Sequence, residues 1–213
     1  MTIRKSIFFI SWIAFIAYAV YFAPNGNQGY LHQLMTMDDP DPFLLMVFSF
    51  LGIYPLVFSA LLLEEDDAWL PLWPFVLGMF MLGAFALMPY FFLSKGKTSR
   101  KRRTPKWLSK GLQSSIFTTL LMIGTVALCL YGVIQGDFQL YLEAFQTSQF
   151  VHVMTIDFFI LTILSSFVIY WRERKNGQVN QYHWIGFMPI VGAILYLIKK
   201  GNSSECSYEG INE

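Results

Sequence analysis

QFVHVMTIDFFILTILSSFVIYW, residues 149–171, is an apolar run with one charged side chain, Asp157, set well inside it. A helix needs about 20 mostly apolar residues to cross the ~30 Å hydrocarbon core of a bilayer, so this stretch predicts a transmembrane helix. A rise of 1.5 Å per residue puts Asp157 about 5 Å from the midplane. A lone carboxylate at that depth costs several kcal/mol, so it is held neutral or meets a donor from another element. At about 100° per residue, Val153, Leu161, Leu164 and Val168 share its side of the helix. His152, Thr155, Thr162 and Ser166 gather on the opposite side, so the partner must come from elsewhere. Tyr54, Tyr90, Thr118 and Thr119 are the candidates within other apolar runs.

Working outward, comparable runs occupy 6–23, 43–63, 70–94, 115–134 and 184–198. The chain of 213 residues is 55% hydrophobic and only 14% charged, against roughly 25% charged in ordinary soluble domains. The expectation is an all-α polytopic membrane protein with about six transmembrane helices. The first run follows Arg4 and Lys5 like a signal peptide, but it is rich in Trp, Tyr and Phe and lacks a small-x-small cleavage site. It is read as a retained span. The last run carries Pro189 and is the shortest.

Lys and Arg in short loops stay on the cytoplasmic side. With six spans, the loop between the third and fourth and the RERK segment after the fifth fall on one face, and both termini fall on the other. The first loop holds Lys95, Lys97, Arg100, Lys101, Arg102, Arg103, Lys106 and Lys110. This reading makes the basic face cytoplasmic and puts both termini, with the acidic EEDD turn at 64–67, outside. Arg4 and Lys5 dissent from it; five spans with the amino terminus inside is the alternative. A long loop and then a short one follow in each set of three runs. The organisation expected is therefore a first three-helix half over 1–97, a basic loop over 98–114, a second half over 115–200 and a polar tail over 201–213. Three is an odd number, so the two halves would be inverted relative to each other.

Few residues suggest chemistry. Glu64, Glu65, Asp66 and Asp67 suit a helix start better than a metal site, and Asp38, Asp39 and Asp41 with Pro40 and Pro42 read as a stiff helix cap. His32, His152 and His183 show no metal-binding spacing, and there is no glycine-rich phosphate loop. No catalytic residue, metal or cofactor is assigned. The eight basic residues from Lys95 to Lys110 are expected to contact anionic headgroups at about 1 kcal/mol each. Too few aromatics accompany them for nucleic acid. Trp69, Trp73, Trp107, Trp171, Tyr182 and Trp184 fall near run ends as an interfacial belt.

DDPDPFLLMVFSFLGIYPLVFSALL, PLWPFVLGMFMLGAFALMPYFFLSKGK, TIDFFILTILSSFVIYWRER and PIVGAILYLIKK together resemble an uncharacterised family of small multi-pass membrane proteins of bacteria, cyanobacteria and plastids. The resemblance covers about 40–200. It implies a six-span plan in a bacterial inner membrane or a thylakoid membrane, and it carries over no functional residue. The functional expectation is a non-enzymatic scaffold, assembly factor or accessory subunit that works by contact with a membrane-protein partner. The alternative is a small transporter or channel with Asp157 as an intramembrane proton or cation site.

Overall fold

The computed structural model describes residues 3–26, 28–63, 70–94, 111–112, 114–175, 185–186 and 188–199. Among them there is no strand, and four helices are long and apolar enough to cross a membrane. These are α1 (Ile3–Tyr21), α3 (Pro42–Leu62), α6 (Ser115–Gln135) and α8 (Gln149–Lys175). Shorter helices α2 (Tyr30–Thr36) and α7 (Phe138–Thr147) precede α3 and α8. α4 (Trp73–Leu82) and α5 (Ala84–Leu93) follow α3, and a final helix, α9, covers 191–199.

Helix starts follow the sequence chemistry. The Asp41 carboxylate accepts from Phe43 N–H (2.9 Å) and Leu44 N–H (3.2 Å), and Pro42 occupies the first turn, where its missing N–H costs nothing. Asp137 caps α7 in the same way, through Gln139 and Leu140. Inside α3, Pro55 breaks the backbone ladder, and Ser59 Oγ donates to the Pro55 carbonyl at 2.6 Å.

α3 and α8 form the centre: 61% and 56% of their apolar windows are buried, against 11% for α1 and 17% for α6. They run in the same direction, because Phe48 meets Phe150, Tyr54 meets Thr162 and Leu61 meets Arg172. α1 runs against α8, with Tyr18 on His152 at one end and Phe8 on Phe167 near the other. α6 runs against α3, where Gly132 and Gly136 admit Met46 and Phe43. A Cβ on Gly132 would lie 2.6 Å from Met46 Cβ, so the close approach requires glycine there.

The third predicted run, 70–94, is not one continuous helix but two, α4 and α5, broken at Gly83. Phe75 and Tyr90 have ring centroids 5.7 Å apart, and a Cβ on Gly78 would come within 3.0 Å of Ala86 Cβ. In one continuous helix, Phe75 and Tyr90 would be about 22 Å apart. α4 and α5 therefore fold back on each other as a re-entrant hairpin, each ten-residue arm about 15 Å long, half the hydrocarbon thickness. Its tip is Gly83, at φ 51° and ψ −130°, a conformation closed to residues with a Cβ. In the sixth predicted run the described residues 185–186 and 188–190 form turns against the middle of the bundle, where Gly186 meets Ser165, and the described helix α9 has nine residues.

This corrects the expected topology. Because the hairpin returns to the end it left, the amino terminus, the end of α3, both ends of the hairpin, the start of α6 and the end of α8 share one end of the bundle. The amino terminus and the residues flanking EEDD thus lie with the residues flanking the basic loop, not opposite them. The halves change too: α1 and α6 run one way and α3 and α8 the other, so the two halves have the same sense and are not inverted. The EEDD turn, the eight basic residues from Lys95 to Lys110 and the 201–213 tail lie outside the described residues.

Candidate functional site at two intramembrane tips

A helix that starts in the membrane exposes N–H groups that water cannot reach. At the first tip, Ala84 N–H donates to Asp157 Oδ1 at 2.8 Å. The carboxylate belongs to α8, in the other half of the chain, and is 4% exposed. It lies so close to the Gly83 backbone that any Cβ there would overlap it. Glycine at 83 thus does two jobs, supplying a positive φ and leaving room for the cap. A carboxylate at a helix N-terminus also meets the positive end of the helix dipole.

The second tip repeats the device with a different side chain. Ile190 is fully buried with φ 59°, an outlier for a β-branched residue, and its backbone bonds the Tyr54 hydroxyl of α3. Thr162 Oγ1 donates to the Phe158 carbonyl (2.9 Å), so it must accept from Tyr54 at 2.6 Å. Beside this chain of bonds, Ser165 Oγ donates to the Gly186 carbonyl at 3.0 Å. Each tip is therefore capped from the opposite half: α8 caps the hairpin of the first, α3 the turn of the second.

No known protein family, curated protein or solved structure matches the chain.

Aromatic packing fixes the first tip laterally. Phe15 of α1 stacks on Phe85 with centroids 3.9 Å apart, and Trp12 Nε1 donates to the Phe85 carbonyl at 3.0 Å. α1 and α5 thus behave as one block, tied to α8 at both ends. At one end Tyr18 bonds His152 (2.6 Å) and Gln149 Nε2 reaches the Ala19 carbonyl (3.2 Å). At the other, Arg4 lies 5.8 Å over the Trp171 ring and Phe8 packs edge-on to Phe167.

The sequence-predicted site residues sort as follows. Asp157 is at the tip, where its partner is a backbone N–H rather than one of the four side chains expected from the sequence. Tyr54 caps the other tip, Thr118 bonds the Ser114 and Ser115 carbonyls, and the donor to Asp157 is the Ala84 backbone. Ala84 went unread because a backbone N–H leaves no mark in a sequence. The usable signal was Gly83 itself, in the middle of a run otherwise fit to span. Arg172, read from sequence as part of a basic loop, lies instead inside α8, is 1% exposed and donates from Nη1 to the Leu61 carbonyl at 2.9 Å, closing the carboxyl end of α3.

Proposed function

We propose that the chain is an integral membrane protein that passes a proton or small cation, with Asp157 as the working group. One observation carries this reading. The two tips need the same service, an acceptor for a backbone N–H, and a neutral phenol provides it at the second. An ionisable carboxyl at the first is thus more than the architecture requires, and ionisable groups at such depth are costly enough to mark ion or proton paths. Discontinuous helices whose N-termini meet near the midplane, in repeats about an axis along the membrane normal, are also the setting in which transporters place their sites. The test is reconstitution into proteoliposomes with an internal pH dye and an imposed gradient. The wild type should dissipate the gradient and Asp157→Asn should not; equal leak in both refutes the reading.

The second reading is contact, as a scaffold, assembly factor or accessory subunit. It is favoured by the fact that the Asp157 carboxylate already has a structural use, capping α5. A stable larger particle after mild extraction, together with an Asp157→Asn variant that assembles normally and no flux in the wild type, would favour it.

Orientation follows from charge. Arg4, Lys5, Arg172, Arg174 and Lys175 fall in helix ends at the end of the bundle shared by the hairpin and the amino terminus, the basic loop from Lys95 to Lys110 follows the hairpin in sequence, and 22–41 and 136–148 hold no Lys or Arg. The proposal therefore puts that end in the cytoplasm or stroma. Lys95 to Lys110 would meet anionic headgroups there. The bacterial, cyanobacterial and plastid distribution of the family the sequence resembles supports a bacterial inner membrane or a thylakoid membrane.

A further inference from the structure

Resting on that reading, we infer that the α4–α5 hairpin is a proton-operated latch: protonation of Asp157 releases the hairpin tip and opens a crevice between α5 and α8 in the middle of the membrane. The seam between the α1–α5 block and α8 is fastened at its two ends by Tyr18 on His152, Gln149 on Ala19, and Arg4 over Trp171. Among the described bonds, the polar tie in its middle is Ala84 N–H to Asp157. That tie depends on charge in two ways. A carboxylate accepts a shorter and stronger bond than a carboxylic acid does, and it alone is attracted to the positive end of α5. Adding one proton to the carboxylate weakens the bond, removes the attraction to the helix end, and leaves an acid proton in need of an acceptor, beside a glycine that offers no side chain. The second tip has no such dependence, because the Tyr54 phenol stays neutral across the physiological range. One re-entrant element is thereby fixed and the other conditional.

The groups facing Asp157 leave the switch to this one carboxyl. From α3, the titratable neighbour is Tyr54, whose hydroxyl is bonded to Thr162. Leu82, Gly83 and Ala84 at the tip carry none, nor do Trp12 and Phe15, the residues of α1 packed on this part of the hairpin. On α8 itself, His152 lies five residues away on the opposite side of the helix, bonded to Tyr18 and the Phe145 carbonyl, and Arg172 and Glu173 are about four turns away.

The experiment uses the full chain in liposomes, with Cys129 and Cys206 changed to Ser. Leu161, fully buried one turn from Asp157 on the same side of α8, becomes the reporter as Leu161→Cys. Its rate with N-ethylmaleimide is divided by that of Gln139→Cys, which cancels the intrinsic pH dependence of thiols. The ratio should rise about tenfold between about pH 8 and about pH 5. With Asp157→Asn added, it should be high at both. Ala84→Pro removes the donor and leaves the carboxyl, and proline suits the first position of a helix; it too should hold the ratio high and flat. This second variant decides the matter if Asp157→Asn fails to fold. A ratio that ignores pH in the wild type, or follows pH in both variants, overturns the latch. Gradient dissipation without a change in the ratio would sink the latch and leave the transport reading; a changing ratio without dissipation would do the reverse.

Discussion

Replacing Gly83 with Ala should be among the most damaging single changes in the chain, although it adds one methyl group. The backbone at 83 has φ 51° and ψ −130°, and holding a residue with a Cβ in such a region costs about 1–3 kcal/mol. The methyl would also occupy the position of the Asp157 carboxylate, so the bond to Ala84 N–H must break. A hydrogen bond to a charged group contributes about 1.5–3 kcal/mol. Together the loss is about 3–6 kcal/mol, beyond the ~0.5–3 kcal/mol range of most substitutions. Gly52 is the control, since it lies inside α3 with nothing within 4 Å of a Cβ; Ala there should be neutral or stabilising by up to ~1 kcal/mol. The assay is thermal unfolding in detergent, followed by the fraction that stays monodisperse. A midpoint lowered by about 10 °C or more for Gly83→Ala and unchanged or raised for Gly52→Ala is expected. If the two variants behave alike, the tip does not need glycine and the re-entrant geometry is wrong.

Further expectations concern other parts of the bundle. In the background lacking native cysteines, Ser94→Cys should be labelled from the cytoplasmic side and Gln139→Cys from the opposite side; labelling of both from one side would refute the hairpin topology. Gly132→Val should weaken the α3–α6 contact by about 1–3 kcal/mol, through overpacking on Met46, whereas Gly124→Val, with open space around it, should not; equal effects on unfolding would contradict the packing. Arg172→Met should lower stability by about 1–3 kcal/mol by leaving the Leu61 carbonyl without its charged donor, and an unchanged midpoint would show that the bond contributes nothing. Burial pushes the Tyr141 hydroxyl above the usual phenol range, only partly offset by its bond to Thr155. A raised value in the fold means that its contribution is present below the ordinary phenol pKa of about 10 and is lost as pH rises through the folded one. Wild type should therefore lose more stability than Tyr141→Phe between about pH 9 and pH 11.

The four crossing helices were legible because their signal is length and apolar content, which Ile3–Tyr21, Pro42–Leu62, Ser115–Gln135 and Gln149–Lys175 all carry. The Asp41 cap was legible for a similar reason: Asp followed by Pro is local chemistry. What failed was parity. Residues 73–93 are as apolar as a spanning helix, and nothing in composition separates one crossing from two half-crossings. The small pair Gly78 and Ala86, together with Gly83, held that information, but only a fold in which they meet gives it meaning. One miscounted crossing then reversed the placement of the amino terminus. The dissent of Arg4 and Lys5 from the six-span reading was the sign that the count was off. Asp157 was read as an acid held neutral or met by a partner on another helix, and its bond to the Ala84 backbone became visible only with the break before Ala84.

The reciprocal caps also bear on how the chain is made. Tyr54 is synthesised long before Ile190, so the second turn arrives at a cap already in the membrane. The first hairpin has no such advantage, because Asp157 follows Ala84 by 73 residues. At about 5–20 residues per second, the hairpin tip waits roughly 4–15 s for its acceptor. Until then the Ala84 N–H has no acceptor from α8. The tie between Ala84 and Asp157 therefore joins the two halves of the chain only after both have been made.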